Sequence, residues 1–230
     1  MSGIEGSDGA PAIRPVPMFS KVRKLAGTRE RVPSVIQLEH IYKVATHQFA
    51  VKGYLGTSMR DLGDALGLHA GSLYAHIKSK EDILFEIIDR ISSLHQRDLR
   101  RIMRSSEAPL DKLREIARCH MRLLAENLEA ATVYFHEWRN LDEARRQVIV
   151  AKRDEFESGL REIISDCTDQ GLFRPVDTAM AAKALLGMLN WTYQWYSPDG
   201  RLPSEDVADT FVGYLIDGLC AAAPVPPTSP

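Results

Sequence analysis

The chain has 230 residues, of which 44% are apolar and 26% charged, enough for a buried core and ordinary for one large domain or two smaller ones. Lys and Arg total 29 against 31 Asp and Glu, a net charge of −2, so overall charge gives no sign of nucleic acid and such a role requires a local basic surface. Three scattered cysteines, Cys119, Cys167 and Cys220, exclude a disulfide framework and a paired-cysteine zinc or redox site, and no run approaches the ~18 apolar residues of a membrane span.

Residues 1–33 are rich in Gly, Pro and Ser and lack periodicity, which predicts a disordered tail with a basic second half at Lys21, Arg23, Lys24, Arg29 and Arg31. No basic start followed by an apolar core is present, so a secretory signal is not expected and free thiols in a cytoplasmic protein are. From Ser34 the spacing is helical. Ile36, Ile41, Val44, Ala45, Gln48 and Phe49 define a first helix to Lys52, with Gly53 as a left-handed stop. A short helix is predicted over 58–66 with Thr57 as N-cap, and Gly67-Leu68 breaks it before a second short helix at 70–76. A long helix starts at Ser79, with Asp82 three residues on and a stripe of Ile83, Leu84, Ile87, Ile88, Ile91 and Leu94. Further helices are predicted near 110–126, 128–138, 142–170, 178–197 and 204–219, with Pro109, Pro175, Pro198 and Pro203 at the joints. The Pro-rich residues 221–230 end the chain as a disordered segment. The fold class is therefore all-α.

Residues 57–82 carry the most information. Two helices of about two turns flank a glycine-containing bend, the layout of a helix-turn-helix. Leu62, Ala65 and Leu66 supply the first helix with an apolar face, and Leu68 and Leu73 seal the bend. His69, Ala70, Gly71 and Ser72 are small or polar, so the second helix can approach base edges closely. Tyr74, Lys78 and Lys80 are placed to meet phosphates. Over residues 34–80, five basic residues face three acidic ones, a local net charge of +2. A Gly-Leu break between amphipathic helices also occurs in any helical bundle, and the basic tail reads equally as a spacer or as an arm reaching the DNA backbone.

The whole pattern, Gly53-Tyr54, Thr57, Arg60-Asp61-Leu62, Gly67-Leu68, Gly71-Ser72-Leu73-Tyr74, His76 and Lys78-Ser79-Lys80-Glu81, resembles the TetR family of transcription regulators. Ile77 departs from it, standing where the family usually has phenylalanine. The resemblance implies a three-helix DNA-binding domain over 34–80 and a helical ligand-binding and dimerisation domain over 81–220. It implies DNA contacts from Thr57, Ser58, Arg60, His69, Ala70, Gly71, Ser72, Tyr74, His76, Lys78 and Lys80. The partners it implies are double-stranded operator DNA, a small-molecule effector and a second copy of the chain, with repression as the default outcome.

Toward the C-terminus, Ala184, Met188, Trp191 and Trp195 share one helical face, as do Val207, Phe211, Tyr214, Leu215 and Gly218. The resemblance makes these the homodimer interface, and core packing within one chain is the alternative. Residues 190–217, with Trp195-Tyr196 followed by Pro198-Asp199-Gly200, look like the end of family members that respond to acyl-CoA thioesters in lipid and aromatic-acid catabolism. An acyl-CoA needs an apolar tunnel and cations for its phosphates. Met121, Leu124, Tyr134, Trp138, Phe156, Met188, Trp191 and Trp195 are the candidates for the first need, and Arg139, Arg145, Arg146, Lys152 and Arg153 for the second. Core packing and solvated ion pairs are the bland readings of the same residues. A hydrophobic drug or signalling lipid as effector, or a helical adaptor that no longer binds DNA, are the rival functions. His120, His136 and Glu137 lack metal-ligand spacing and read as satisfied or exposed polar residues. No phosphate loop or nucleophile elbow occurs, so neither metal, cofactor nor catalysis is expected.

Overall fold

The computed structural model describes residues 34–68, 73–74 and 77–220. The two segments read as disordered, 1–33 and 221–230, lie outside them, as do His69, Ala70, Gly71, Ser72 and His76. The described residues form α1 (Ser34–Lys52), α2 (Met59–Leu66), α3 (Lys80–Met103), α4 (Pro109–Glu126), α5 (Leu128–His136), α6 (Glu143–Asp169), α7 (Thr178–Trp191) and α8 (Ser204–Leu219), with single 3₁₀ turns at Trp138–Asn140 and Thr192–Gln194. Leu73 and Tyr74 are helical. Among the described residues no strand occurs beyond one isolated bridge, Phe173 to Cys220, and the fold is all-α as expected.

Local chemistry sets the ends. Gly53 and Gly67 take positive φ, 79° and 65°, a region closed to most side chains. Ser58, not Thr57, caps α2: its hydroxyl accepts the Asp61 amide at 3.1 Å while Asp61 accepts the Ser58 amide at 2.7 Å. That completed capping box satisfies two donors at once. Thr57 instead turns inward and donates to the Gly53 carbonyl at 2.9 Å. Ser79 caps α3 by accepting the Asp82 amide at 3.0 Å, and the Asp82 carboxylate bonds Arg145. The helix expected over 178–197 stops at Trp191, since Thr192 folds back to bond the Leu189 carbonyl at 2.6 Å.

Two buried clusters hold the chain together. The first joins Ile41, Ala45 and Phe49 of α1, Leu62 of α2, Leu73, Ile77, the first three turns of α3, and Ala130, Val133 and Tyr134 of α5. Ile77 is buried, so the departure at this position keeps its apolar role. Ala65, expected on the apolar face of α2, is exposed. The second cluster unites the far end of α3 with α4, α6, α7 and α8. α3 belongs to both, so core packing runs without a break across residue 80. Where α6 crosses α3, a Cβ on Gly159 would sit 2.6 Å from Leu99 Cδ1, and only glycine lets the two helices close to this distance without moving Leu99.

Candidate nucleic-acid interface and ligand cavity

The end of the chain that carries α2 presents four of the predicted DNA residues to solvent, Ser58, Arg60, Tyr74 and Lys78. Arg60 is exposed and only loosely paired with Asp64 at 4.0 Å. Tyr74 is 54% exposed although its neighbour Leu73 is fully buried, and Lys78 is exposed. A phosphate-contacting surface needs this combination of an anchored apolar residue and exposed polar neighbours.

Three predicted contacts, exposed Ser58 among them, have their polar atoms bonded within the fold. Thr57 is 1% exposed and spent on backbone carbonyls. The Ser58 hydroxyl is taken by Asp61 at 2.6 Å, and this bond holds the Asp61 carboxyl below its usual range. Lys80 turns back across the loop, donating to the Tyr54 and Thr57 carbonyls at 2.8 and 2.7 Å and lying 4.1 Å from the Tyr54 ring centre. In this structure its ammonium serves the loop: two carbonyls of residues 54–57 gain a charged donor. Burial lowers its pKa. The loop is fixed from the other side by Glu137, which accepts the Tyr54 amide at 3.2 Å.

A cavity of about 210 Å³ opens in the C-terminal body. α3 contributes Ser92 and His95, α4 His120, α5 Tyr134 and Phe135, α6 Lys152, Arg153, Phe156 and Glu157, and α7 Leu186 and Asn190. Of the predicted ligand residues, Tyr134, Lys152, Arg153 and Phe156 meet here. Arg153 donates to the Tyr134 hydroxyl at 3.0 Å and carbonyl at 2.9 Å, and stacks between the Tyr134 and Trp138 rings at 4.3 and 4.5 Å. Among the described residues no carboxylate pairs with it, whereas Lys152 pairs with Asp89 at 2.6 Å. Arg139 is exposed beside Trp138. Arg145 and Arg146 are committed to Asp82 and Glu143.

The other predicted ligand residues lie elsewhere. Met121 and Leu124 are buried core of the second cluster, and Met188 packs against it. Trp191 and Trp195 are 63% and 50% exposed and do not line the cavity. With Met180, Ala184 and Gly187 they form an outward stripe of small and apolar residues along α7 and its end. The stripe predicted on α8 is divided: Val207 and Leu215 pack inward, and Tyr214 and Gly218 face out.

Composition and spacing overlook Ser92, His95, Phe135, Leu186 and Asn190 of the cavity wall and dismiss His120. His120 is 3% exposed, and neither ring nitrogen has a hydrogen-bond partner among the described residues. No spacing rule brings residues 95 and 120 together, because they sit on different helices. His136 is exposed and bonded to Tyr193 and Gln194.

Known proteins share this fold. Residues 41–87 match the family model of bacterial regulatory proteins of the tetR family, and residues 106–219 that of a tetracyclin repressor-like C-terminal domain. The transcriptional repressor KstR2 of Mycolicibacterium smegmatis is 25% identical over 184 residues, covering 79% of this chain and 89% of that protein. The crystal structure of PfmR from Thermus thermophilus superposes with a TM-score of 0.72 at 34% identity, covering 77% of this chain and 97% of PfmR. That of AibR in complex with isovaleryl coenzyme A and operator DNA gives 0.70 at 32% identity, covering 77% and 96%. The chain belongs to the TetR family of transcriptional regulators.

Proposed function

We propose that the chain is a cytoplasmic repressor that binds double-stranded operator DNA as a homodimer and lets go when a short acyl-CoA thioester enters the cavity. One observation carries the effector class: an aromatic-walled cavity with a guanidinium, Arg153, that no carboxylate neutralises among the described residues. A buried or half-buried cation of this kind favours an anionic ligand. The cavity is smaller than the roughly 300–1,000 Å³ of sites for drug-sized molecules, so it suits a short acyl group, with the phosphates of the nucleotide part running from half-buried Arg153 out to exposed Arg139. That AibR is solved with isovaleryl coenzyme A and operator DNA supports the same class.

Dimerisation draws support from the outward stripe of α7 and from Tyr214, 66% exposed on α8. Added Cβ atoms at Gly187, Gly213 and Gly218 would meet nothing within 4 Å, leaving a surface open to close approach by another helix. Two-fold symmetry then matches a palindromic operator, with half-sites a helical turn or its multiples apart.

The test is fluorescence anisotropy on DNA flanking the gene, with acyl-CoAs of two to eight carbons, free coenzyme A and a sterol as competitors. Release by short thioesters, and not by coenzyme A alone, is expected. Release by the sterol alone, or by none, overturns the effector class, and failure to bind any flanking DNA overturns the regulator of its own locus.

A further inference from the structure

His95 on α3 and His120 on α4 stack with ring centres 4.7 Å apart and planes 13° from parallel, at the inner side of the cavity. Phe156 and Tyr134 close around them, at 5.3 and 6.0 Å from His95. His120 is the unusual member, because a buried imidazole in a folded protein nearly always has a partner for its N–H and its bare nitrogen. Here both are shielded, and neither has a partner among the described residues. Packing does not explain the choice, since a phenylalanine or leucine fills such a position without stranding two polar atoms.

We propose that the His95–His120 pair is the polar subsite of the cavity and hydrogen-bonds an uncharged oxygen, a hydroxyl or keto group, carried on the effector's carbon chain. The inference rests on the effector reading above and narrows it from short acyl-CoAs to oxygenated ones.

The charge state favours a neutral group. Burial holds His95 well below the usual histidine range and pushes His120 down to about 4, so both rings are uncharged near pH 7. A neutral imidazole offers one donor and one acceptor, which a hydroxyl matches in full and a ketone in half. A carboxylate would be met by Arg153 and Lys152, which are half-buried, rather than by His120, which is buried. Metal binding is the competing use of two adjacent histidines. Among the described residues no third His, Cys, Asp or Glu completes a metal-holding group.

The direct test is NMR of the full-length protein labelled with ¹⁵N in its histidine rings, titrated with cyclohexanol, cyclohexanone and cyclohexane. The alcohol and ketone are expected to shift the ring nitrogens of His120, and the hydrocarbon to leave them. His120→Phe keeps a ring beside His95 and removes the two hydrogen-bonding atoms of His120, so its preference for cyclohexanol over cyclohexane should fall. His120→Gln, which retains a donor and an acceptor, should keep the preference if the phenylalanine variant folds poorly. Unmoved resonances in the wild-type protein mean that the pair is satisfied by water, and the inference falls. With thioesters, 3-hydroxybutanoyl-CoA should release DNA at concentrations at least about tenfold below butanoyl-CoA, since a site built for an oxygen rejects the analogue lacking it. Equal potency of the two also overturns the inference while leaving acyl-CoA release intact. Inactivity of every thioester together with a cyclohexanol shift overturns the effector class and leaves the subsite standing.

Discussion

The backbone amide of Tyr54 donates to the carboxylate of Glu137 at 3.2 Å, across 83 positions of sequence. Tyr54 lies in the loop that leads into α2, and Glu137 caps α5, one turn beyond Tyr134, which Arg153 grips in the cavity. Cavity and DNA-facing end are thereby joined through one hydrogen-bonded corner, with Asn140 donating to the second Glu137 oxygen at 2.7 Å. A ligand that draws Arg153 away from Tyr134 disturbs that corner, and it shifts DNA binding only by binding the two states unequally. Glu137→Ala should lower stability by about 1–3 kcal/mol through the orphaned amide. It should also shrink the difference in DNA affinity with and without effector. Urea melts and paired anisotropy titrations measure the two effects, and an undiminished effector response would remove Glu137 from the coupling.

Lys78 and Lys80 should separate cleanly. Lys78→Ala is expected to weaken binding to all DNA sequences and to reduce the salt slope by about one unit, the signature of a lost phosphate contact. Lys80→Ala should instead destabilise the 54–57 loop, lowering the melting temperature and DNA affinity with the salt slope nearly unchanged. The measurement is anisotropy over a salt series, with a thermal melt alongside. A full unit of slope lost with Lys80 would mean that its ammonium leaves the two carbonyls for a phosphate when DNA binds.

This pair of lysines also marks how far the sequence can be read. Helix periodicity and the Gly67-Leu68 break locate the all-α architecture and the reading end, because both depend on local spacing. They do not tell Lys78 from Lys80, since two lysines two residues apart look alike until Ser79 caps α3 and sends the second one inward. Thr57 and Ser58 are confused for the same reason: either hydroxyl can cap a helix, and only the Asp61 reply to Ser58 decides it. Residue type alone picks out Tyr134, Arg153 and Phe156, whereas the His95–His120 stack, built from two helices 25 positions apart, has no local signal. As apolar residues, Trp191 and Trp195 suit a ligand on paper and face solvent in the fold. Whether an apolar stripe faces a cavity, a core or a partner is fixed by tertiary packing alone.

Arg153 should matter to the effector and little to DNA in its absence. Arg153→Met preserves the stem that packs on Tyr134 and Trp138 and deletes the charge. We expect thioester affinity to fall by about tenfold or more, in keeping with a lost charged hydrogen bond, with effector-free DNA affinity unchanged. Isothermal titration and anisotropy provide the pair of readings. Undiminished thioester affinity would place the anionic group elsewhere, with Arg139 the next residue to change.

The outward stripe predicts the assembly. Trp191→Glu combined with Tyr214→Glu puts charge where an apolar helix pair would meet, and desolvating an unpaired charge is costly. Sedimentation should show monomers at concentrations at which the parent chain is dimeric, and affinity for a two-half-site operator should fall far more than affinity for a half-site. Unaltered sedimentation would locate the interface on another face.

Acid should act through His120 before it acts through most carboxylates. The ring titrates at about 4 in the folded chain and near 6.5 when unfolded. Above pH 6.5 both states are neutral and the group adds no pH dependence. As pH falls from 6.5 toward 4 the unfolded chain takes up a proton that the folded chain refuses, so stability is lost, by up to about 3 kcal/mol for this residue. Below 4 the folded ring protonates and the loss levels off. His95, depressed in the same direction by burial and by the neighbouring His120 and Arg153, adds to the slope, and Glu157 at the cavity wall is paired with Arg161 at 2.8 Å. Urea melts at pH 7.5 and 5 should therefore differ more for the parent chain than for His120→Gln, which has no proton to gain. An equal difference in both would mean that the folded cavity admits the protonated ring, contrary to the burial that gives His120 its depressed pKa.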